Sequence, residues 1–177
     1  PKLVEQTTHL THGLVKLPGN VKMSSRKGNF LKAVDTLEMV KEALDGEKVG
    51  DNSEKMVLAA IKYAFLRYKM GGDIVFDPQE SVSTTGNSGV YLLYAVVRAK
   101  KVLAKAVERE NDRQGGEMSE YERKLSKKVV QYGNVVQEAI REKVPNKVCT
   151  YLYELAQEFS RFYEHVQVVG GDREIEL

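Results

Sequence analysis

The sequence runs to 177 residues, with 27 lysines and arginines against 25 aspartates and glutamates, a net charge of +2, and 42% apolar and 29% charged residues. That size accommodates one large domain, or a small one with an attached piece, and buries a core without cross-links. The single Cys149 excludes an intrachain disulfide and a Cys-rich metal site, and no run of about 18 apolar residues offers a membrane span.

A net charge this small says little about partners, because clustering rather than the sum marks a nucleic-acid binder. The chain opens on Pro1 rather than Met, without a signal or transit pattern, and reads as a piece of a longer protein. Residues Thr8 to Leu17 predict a short strand that leads to a turn at Pro18-Gly19-Asn20. His9 and His12 lack a third ligand nearby and are read as structural.

Val21 to Asn29 reads VKMSSRKGN, with Lys22, Arg26 and Lys27 beside Ser24 and Ser25, then Gly28-Asn29. Two readings stand for such a loop. It is a solvated basic loop, or it closes on a polyphosphate, with cations offsetting charge and hydroxyl and backbone N–H groups donating hydrogen bonds.

Ala33 to Leu44 predicts a helix with Val34, Leu37, Val40 and Leu44 inward, stopped by Gly46. Asp51-Asn52-Ser53-Glu54 caps the next, whose stripe is Met56, Val57, Ala60, Ile61, Ala64, Phe65 and Tyr68. Pro78 then forbids continuation, and Ser81 to Gly89 predicts a polar loop ending in a helix cap. Val90 to about Val107 predicts a long helix with Leu92, Val96, Ala99, Leu103 and Ala106 as core. Tyr91, Tyr94 and Arg98 share another face. They either pack into a neighbouring helix with wet hydroxyls or stack on bases and pair with phosphate.

Glu108 to Glu117 reads as an exposed loop, and Ser119-Glu120-Tyr121-Glu122 as a capping box. It opens a helix with Tyr121, Leu125, Val129, Tyr132, Val136 and Ile140 inward. Pro145 starts another, with Val148, Leu152, Leu155, Phe159 and Phe162 inward and Tyr163 turned to the surface. Cys149 in that stretch is read as a small buried hydrophobe. The fold class is mainly α: a short β-containing opening, then a bundle of about five helices.

The order Lys22-Met23-Ser24-Ser25-Arg26-Lys27-Gly28-Asn29 resembles the KMSKS signature loop of class I aminoacyl-tRNA synthetases. Ala64 to Lys105 is similar to the region where arginyl-tRNA synthetases pass from catalytic body to anticodon-binding domain. The likeness rests on Val75-Phe76-Asp77, the Gly86-Asn87 turn and the Tyr-x-x-Tyr-Ala-x-x-Arg run of Tyr91, Tyr94, Ala95 and Arg98. Tyr151 to Val169 resembles a later helix of that domain. The resemblance implies ATP- and Mg²⁺-dependent attachment of arginine to its tRNA by the full-length enzyme. Lys22, Ser24, Ser25, Arg26 and Lys27 would then be catalytic, and Lys22, Met23, Lys27 and Gly28 would bind ATP. Tyr91, Tyr94, Arg98 and Tyr163 would meet the anticodon.

Ser25 stands where the signature has its second lysine, and Arg26 where it has its last serine. Arg26 and Lys27 therefore join Lys22 as candidate phosphate contacts. Residues 1–50 would end the catalytic domain, and 51–177 would form an α-helical anticodon-binding domain without its last helix. The HIGH signature is absent, so this chain alone is expected to be inactive. A cytoplasmic monomer with arginine tRNA as partner, and neither DNA nor membrane, is the accompanying expectation. The rival is a stand-alone helical module for tRNA or protein binding, without catalysis.

Overall fold

A turn and a pair of glycines set the geometry at the start of the chain. The computed structural model describes residues 7–19, 21–24, 26, 28, 30, 32–45, 53–107 and 117–166. Gly19, at φ +77°, makes the reversal that joins β1 (Val15–Leu17) to β2 (Val21–Lys22), a left-handed conformation glycine adopts without a Cβ penalty. β1 pairs antiparallel with β2, Lys16 opposite Lys22, and parallel with β3 (Ile74–Val75), Val15 opposite Ile74. The strand expected over Thr8 to Leu17 is thus confined to its last three residues. Its partner β3 is only two residues long. Upstream, the backbones close directly, since a Cβ on Gly13 would lie 2.3 Å from the Gly72 carbonyl oxygen. Exposed His9 and His12 fall in the irregular stretch before β1.

Among the described residues, seven helices follow or flank the sheet. α1 (Ala33–Asp45) begins where the Asp35 carboxylate accepts from Lys32 N–H at 3.0 Å. It buries Thr36, Val40 and Leu44, at i, i+4 and i+8. Val34 and Leu37, expected inward, are exposed at 60% and 40%. α1 packs on α2 (Ser53–Leu66) and on the one-turn α3 (Pro78–Ser81), and the Thr36–Val40–Leu44 line is the side that meets them.

α3 arises inside the stretch read as a break. The Asp77 carboxylate caps it by accepting from Gln79 and Glu80 N–H, and Pro78 occupies its first turn, where a missing N–H costs nothing. Phe76 is buried against Phe65, ring centroids 5.5 Å apart, and joins Val40, Leu44, Val57, Ala60, Ala64, Val82 and Val90 in one core. Truncating such a buried phenylalanine costs about 3–5 kcal/mol. Tyr63, outside the expected stripe, is also buried; its hydroxyl donates to Asn87 Oδ1 and to the Cys149 carbonyl at 3.1 Å. Desolvation holds the phenol well above its ordinary pKa, so it stays a neutral donor.

α4 (Gly89–Val107) crosses α2 at Gly89, where a Cβ would come 2.2 Å from the Ala59 carbonyl oxygen. The capping box forms as expected. Glu122 N–H donates to Ser119 Oγ at 3.2 Å, the Glu122 carboxylate accepts from Ser119 N–H, and α5 (Glu120–Val130) begins. The single helix expected to reach Ile140 divides there. Gln131 N–H turns back to the Lys128 carbonyl, which also accepts from the Tyr151 hydroxyl at 2.9 Å, and α6 (Tyr132–Glu142) starts on a new phase. Its buried residue is Ala139, so Tyr132 and Ile140 are exposed, Ile140 at 71%; Val129, near the end of α5, is exposed as well.

Lys143, in the left-handed region at φ 57°, ends α6, and Pro145 leads into α7 (Asn146–His165). α7 packs on α2, α4, α5 and α6. It buries Cys149, Tyr151, Ala156 and Phe162, with Val148, Leu152, Leu155 and Phe159 half-buried. Burial pushes the Cys149 thiol pKa up. Val96 and Leu103 of α4, expected as core, are exposed. They wall an apolar groove of about 470 Å³ whose floor is α7 and whose far side is Leu125 and Val129 of α5. The core on this side is Val102 with Phe162. The loop expected over 108–117 and the tail after 166 lie outside the described residues, Glu117 excepted, as do Gly46, Asp51 and Asn52.

Candidate nucleic-acid interface

The start of α4 is fixed by its cap. Ser88 is buried; its Oγ accepts from Tyr91 N–H at 3.0 Å and donates to the Ser83 carbonyl. Arg67 clamps the same loop, donating to the Asn87 carbonyl at 2.7 Å and to Glu80 Oε1 at 2.8 Å. With α4 held at this end, its side chains meet α7 in a set register.

Tyr91 turns to α7. Its hydroxyl lies 3.2 Å from Ser160 Oγ, and its ring meets Tyr153 edge-on at 5.7 Å. One turn on, Tyr94 is 44% exposed. Arg98 donates to the Tyr94 hydroxyl at 2.9 Å, and its guanidinium carbon lies 4.3 Å from the Tyr94 ring centroid and 5.2 Å from that of Tyr163. Tyr163 reaches the cluster from α7 and is also 44% exposed. Tyr94, Arg98 and Tyr163 therefore come together as one group, while Tyr91 braces α4 against α7. Sequence reasoning missed Ser160 and Tyr153, Tyr91's partners. Nothing local marks them, because they lie more than sixty residues from it in the chain. Rings held this way offer apolar faces for unpaired bases, and the guanidinium adds a fixed charge for phosphate.

The second group of candidates lies on the sheet. Lys22 is exposed at the end of β2, and Lys16, opposite it, pairs with Asp73 at 2.6 Å. Hydrogen bonds from Lys16 and from Leu14 N–H hold the Asp73 carboxyl below its usual range, and the charges of Lys16 and Lys22 act the same way. Met23 and Ser24 are half-buried, Arg26 is exposed, and Gly28 turns at φ +70° with open space where a Cβ would be. Ser25 and Lys27 lie outside the described residues. Among those described, no three His, Cys, Asp or Glu side chains gather as metal ligands, and no helix is long and apolar enough to cross a membrane.

A family model described as the DALR anticodon binding domain matches residues 92–176, a span that includes Tyr94, Arg98 and Tyr163. The match begins within α4 and takes in α5, α6 and α7. Among curated proteins, an arginine–tRNA ligase of Alkaliphilus oremlandii is 32% identical over 159 residues, covering 82% of this chain and 27% of that protein. One of Treponema denticola is 32% identical over 183 residues, 93% of this chain and 31% of that protein. The arginyl-tRNA synthetase of Thermus thermophilus superposes with a TM-score of 0.73 at 26% identity, covering 96% of this chain and 29% of that one. That of Plasmodium falciparum, with a TM-score of 0.64 and 17% identity over 94% of this chain and 32% of its own, shares the fold. Over most of its length, the chain is homologous to arginine–tRNA ligases. It spans about 30% of the length of the curated relatives it matches.

Proposed function

We propose that this chain is the signature-hairpin and anticodon-binding portion of an arginine–tRNA ligase, residues 1–50 finishing the catalytic domain and 51–177 binding the tRNA. The observation that carries the reading is the Tyr94–Arg98–Tyr163 group, which lies within the DALR match. Anticodon bases are unpaired, and single-stranded loops are bound by stacking on aromatic rings and guanidinium planes. The hairpin cations Lys22 and Arg26, with Lys27, would offset triphosphate charge as arginine is activated, the role positioned cations play in displacement at phosphorus. Ser24, Ser25, Met23 and Gly28 would line the same loop. ATP and Mg²⁺ belong to the complete ligase, as do a cytoplasmic setting and a monomeric state. A stand-alone binding module is disfavoured, because the relatives match through sheet and helices alike and are named arginine–tRNA ligases.

The test is Tyr94→Ala. We expect it to weaken binding of arginine tRNA about tenfold, or about 1.4 kcal/mol, with helical content unchanged. A tRNA with a substituted anticodon should be affected much less. Equal weakening of both tRNAs would overturn the anticodon assignment.

A further inference from the structure

The exposed side of α4 continues past Arg98. Positions 94, 98, 101 and 105 stand at i, i+4, i+7 and i+11, within about 60° of one another around a helix of 3.6 residues per turn and over about 16 Å of its length. Lys101 and Lys105 are both exposed. The buried neighbours Ala95 and Val102 border this stripe on its Arg98 edge, where Arg98 itself is half-buried. α4 contains no aspartate or glutamate in its nineteen residues, so Lys101 has no carboxylate one turn away in either direction. Glu108, three positions after Lys105, lies outside the described residues. On α7, the helix packed beside it, Glu158 is already bonded to Arg161. Lysines scattered for solubility on a helix are ordinarily interleaved with acids. Within α4, from Arg98 to Lys105, no acid interrupts the cations that extend the aromatic–arginine group.

We propose that Lys101 and Lys105, with Arg98, form a track for the phosphate backbone of the RNA strand leaving the Tyr94–Arg98–Tyr163 group. The proposal rests on the anticodon-binding reading above and adds to it a second kind of contact. The rings hold unpaired bases by stacking. The lysines act as point charges on phosphate, which position the strand without reading its sequence. α4 is a suitable rigid carrier, because Gly89 seats it on α2 and Tyr91 on α7.

The experiment measures binding of the 177-residue chain to two RNA stem-loops, one with an arginine-tRNA anticodon loop and one with that anticodon substituted, across about 50–200 mM salt. The K101A/K105A double variant should weaken both RNAs by the same factor. It should also reduce the slope of log affinity against log salt by about 1.4, roughly 0.7 for each single-strand phosphate that is no longer neutralised. The charge-matched control is K55A/K62A, which removes two exposed lysines from α2. Circular dichroism confirms that the variants are folded. An unchanged slope in K101A/K105A, or a change no larger than in the control, overturns the track while leaving the anticodon reading intact. Equal binding of the two stem-loops by the unsubstituted chain overturns the anticodon reading, and a slope that still falls in K101A/K105A then keeps the track as a general RNA contact. No binding of either RNA overturns both.

Discussion

Arg98 and Tyr94 hold each other by two contacts at once: a hydrogen bond of 2.9 Å to the hydroxyl and a guanidinium placed 4.3 Å from the ring centroid. The two contacts separate by substitution. Tyr94→Phe keeps the ring and loses one exposed hydrogen bond, so RNA binding should fall by less than about threefold. Arg98→Lys keeps the charge but loses the planar fork that stacks and bonds together, and binding should fall about five- to tenfold. Fluorescence anisotropy with a labelled stem-loop ranks them. If Tyr94→Phe proves as damaging as Tyr94→Ala, the hydroxyl rather than the ring is the contact.

The hairpin carries a pH signature. Asp73 titrates below its ordinary range because Lys16 and Leu14 N–H bond its charged form. A carboxylate depressed on folding stabilises above the unfolded value, near pH 4, and that stabilisation disappears as pH falls through the lower folded value. Asp73→Asn should therefore lower the urea midpoint at pH 7, and the difference from the parent should shrink as pH falls below the unfolded value and through the lower folded one. Added salt should shrink the difference at pH 7, because both side chains reach solvent. No difference at pH 7 would show that the Leu14 contact, which an amide oxygen can also accept, dominates the effect.

Gly89→Ala should cost about 2 kcal/mol or more, lowering Tm by roughly 4–8 °C for a chain of this size. Alanine is the better helix former, so any simple propensity argument gives the opposite sign. The difference lies in the 2.2 Å approach to the Ala59 carbonyl, which is backbone and cannot rotate away. Thermal unfolding by circular dichroism decides between the two.

What could be read from the chain beforehand was mostly local. The capping box at Ser119 and the start of α4 depend on residues a few positions apart, and the structure has them. The inward face of each helix depends on its neighbours instead. Val34 and Thr36 are two positions apart on α1, and only the placement of α2 and α3 buries the threonine. Asp77-Pro78 reads equally as a helix stop and as an N-cap followed by a first-turn proline; the structure has the second. In the candidate site, Tyr94 and Arg98 were legible as one face of one helix, and Tyr163 as a surface-facing residue of another. Their meeting required α7 to lie against α4. The Tyr91–Ser160 contact spans 69 positions and leaves no local trace.

The parallel pairing of β1 with β3 joins residues 59 apart through a ladder only two residues wide. Breaking the ladder releases its own hydrogen bonds, the Lys16–Asp73 pair, the Leu14–Asp73 bond and the half-buried Val15, and leaves the packing of α1 on α2 in place. Such a piece unfolds alone, ahead of the molecule. In native-state hydrogen exchange, the amides of Ile74 and Phe76, bonded to the carbonyls of Leu14 and Lys16, should exchange faster than those of Ala60 and Ala64 in α2. Their rates should also rise less steeply with denaturant. Equal rates and slopes would mean one cooperative unit. The expected split makes the basic hairpin a separately melting flap, able to detach and reseat many times in the lifetime of a single folded helical bundle.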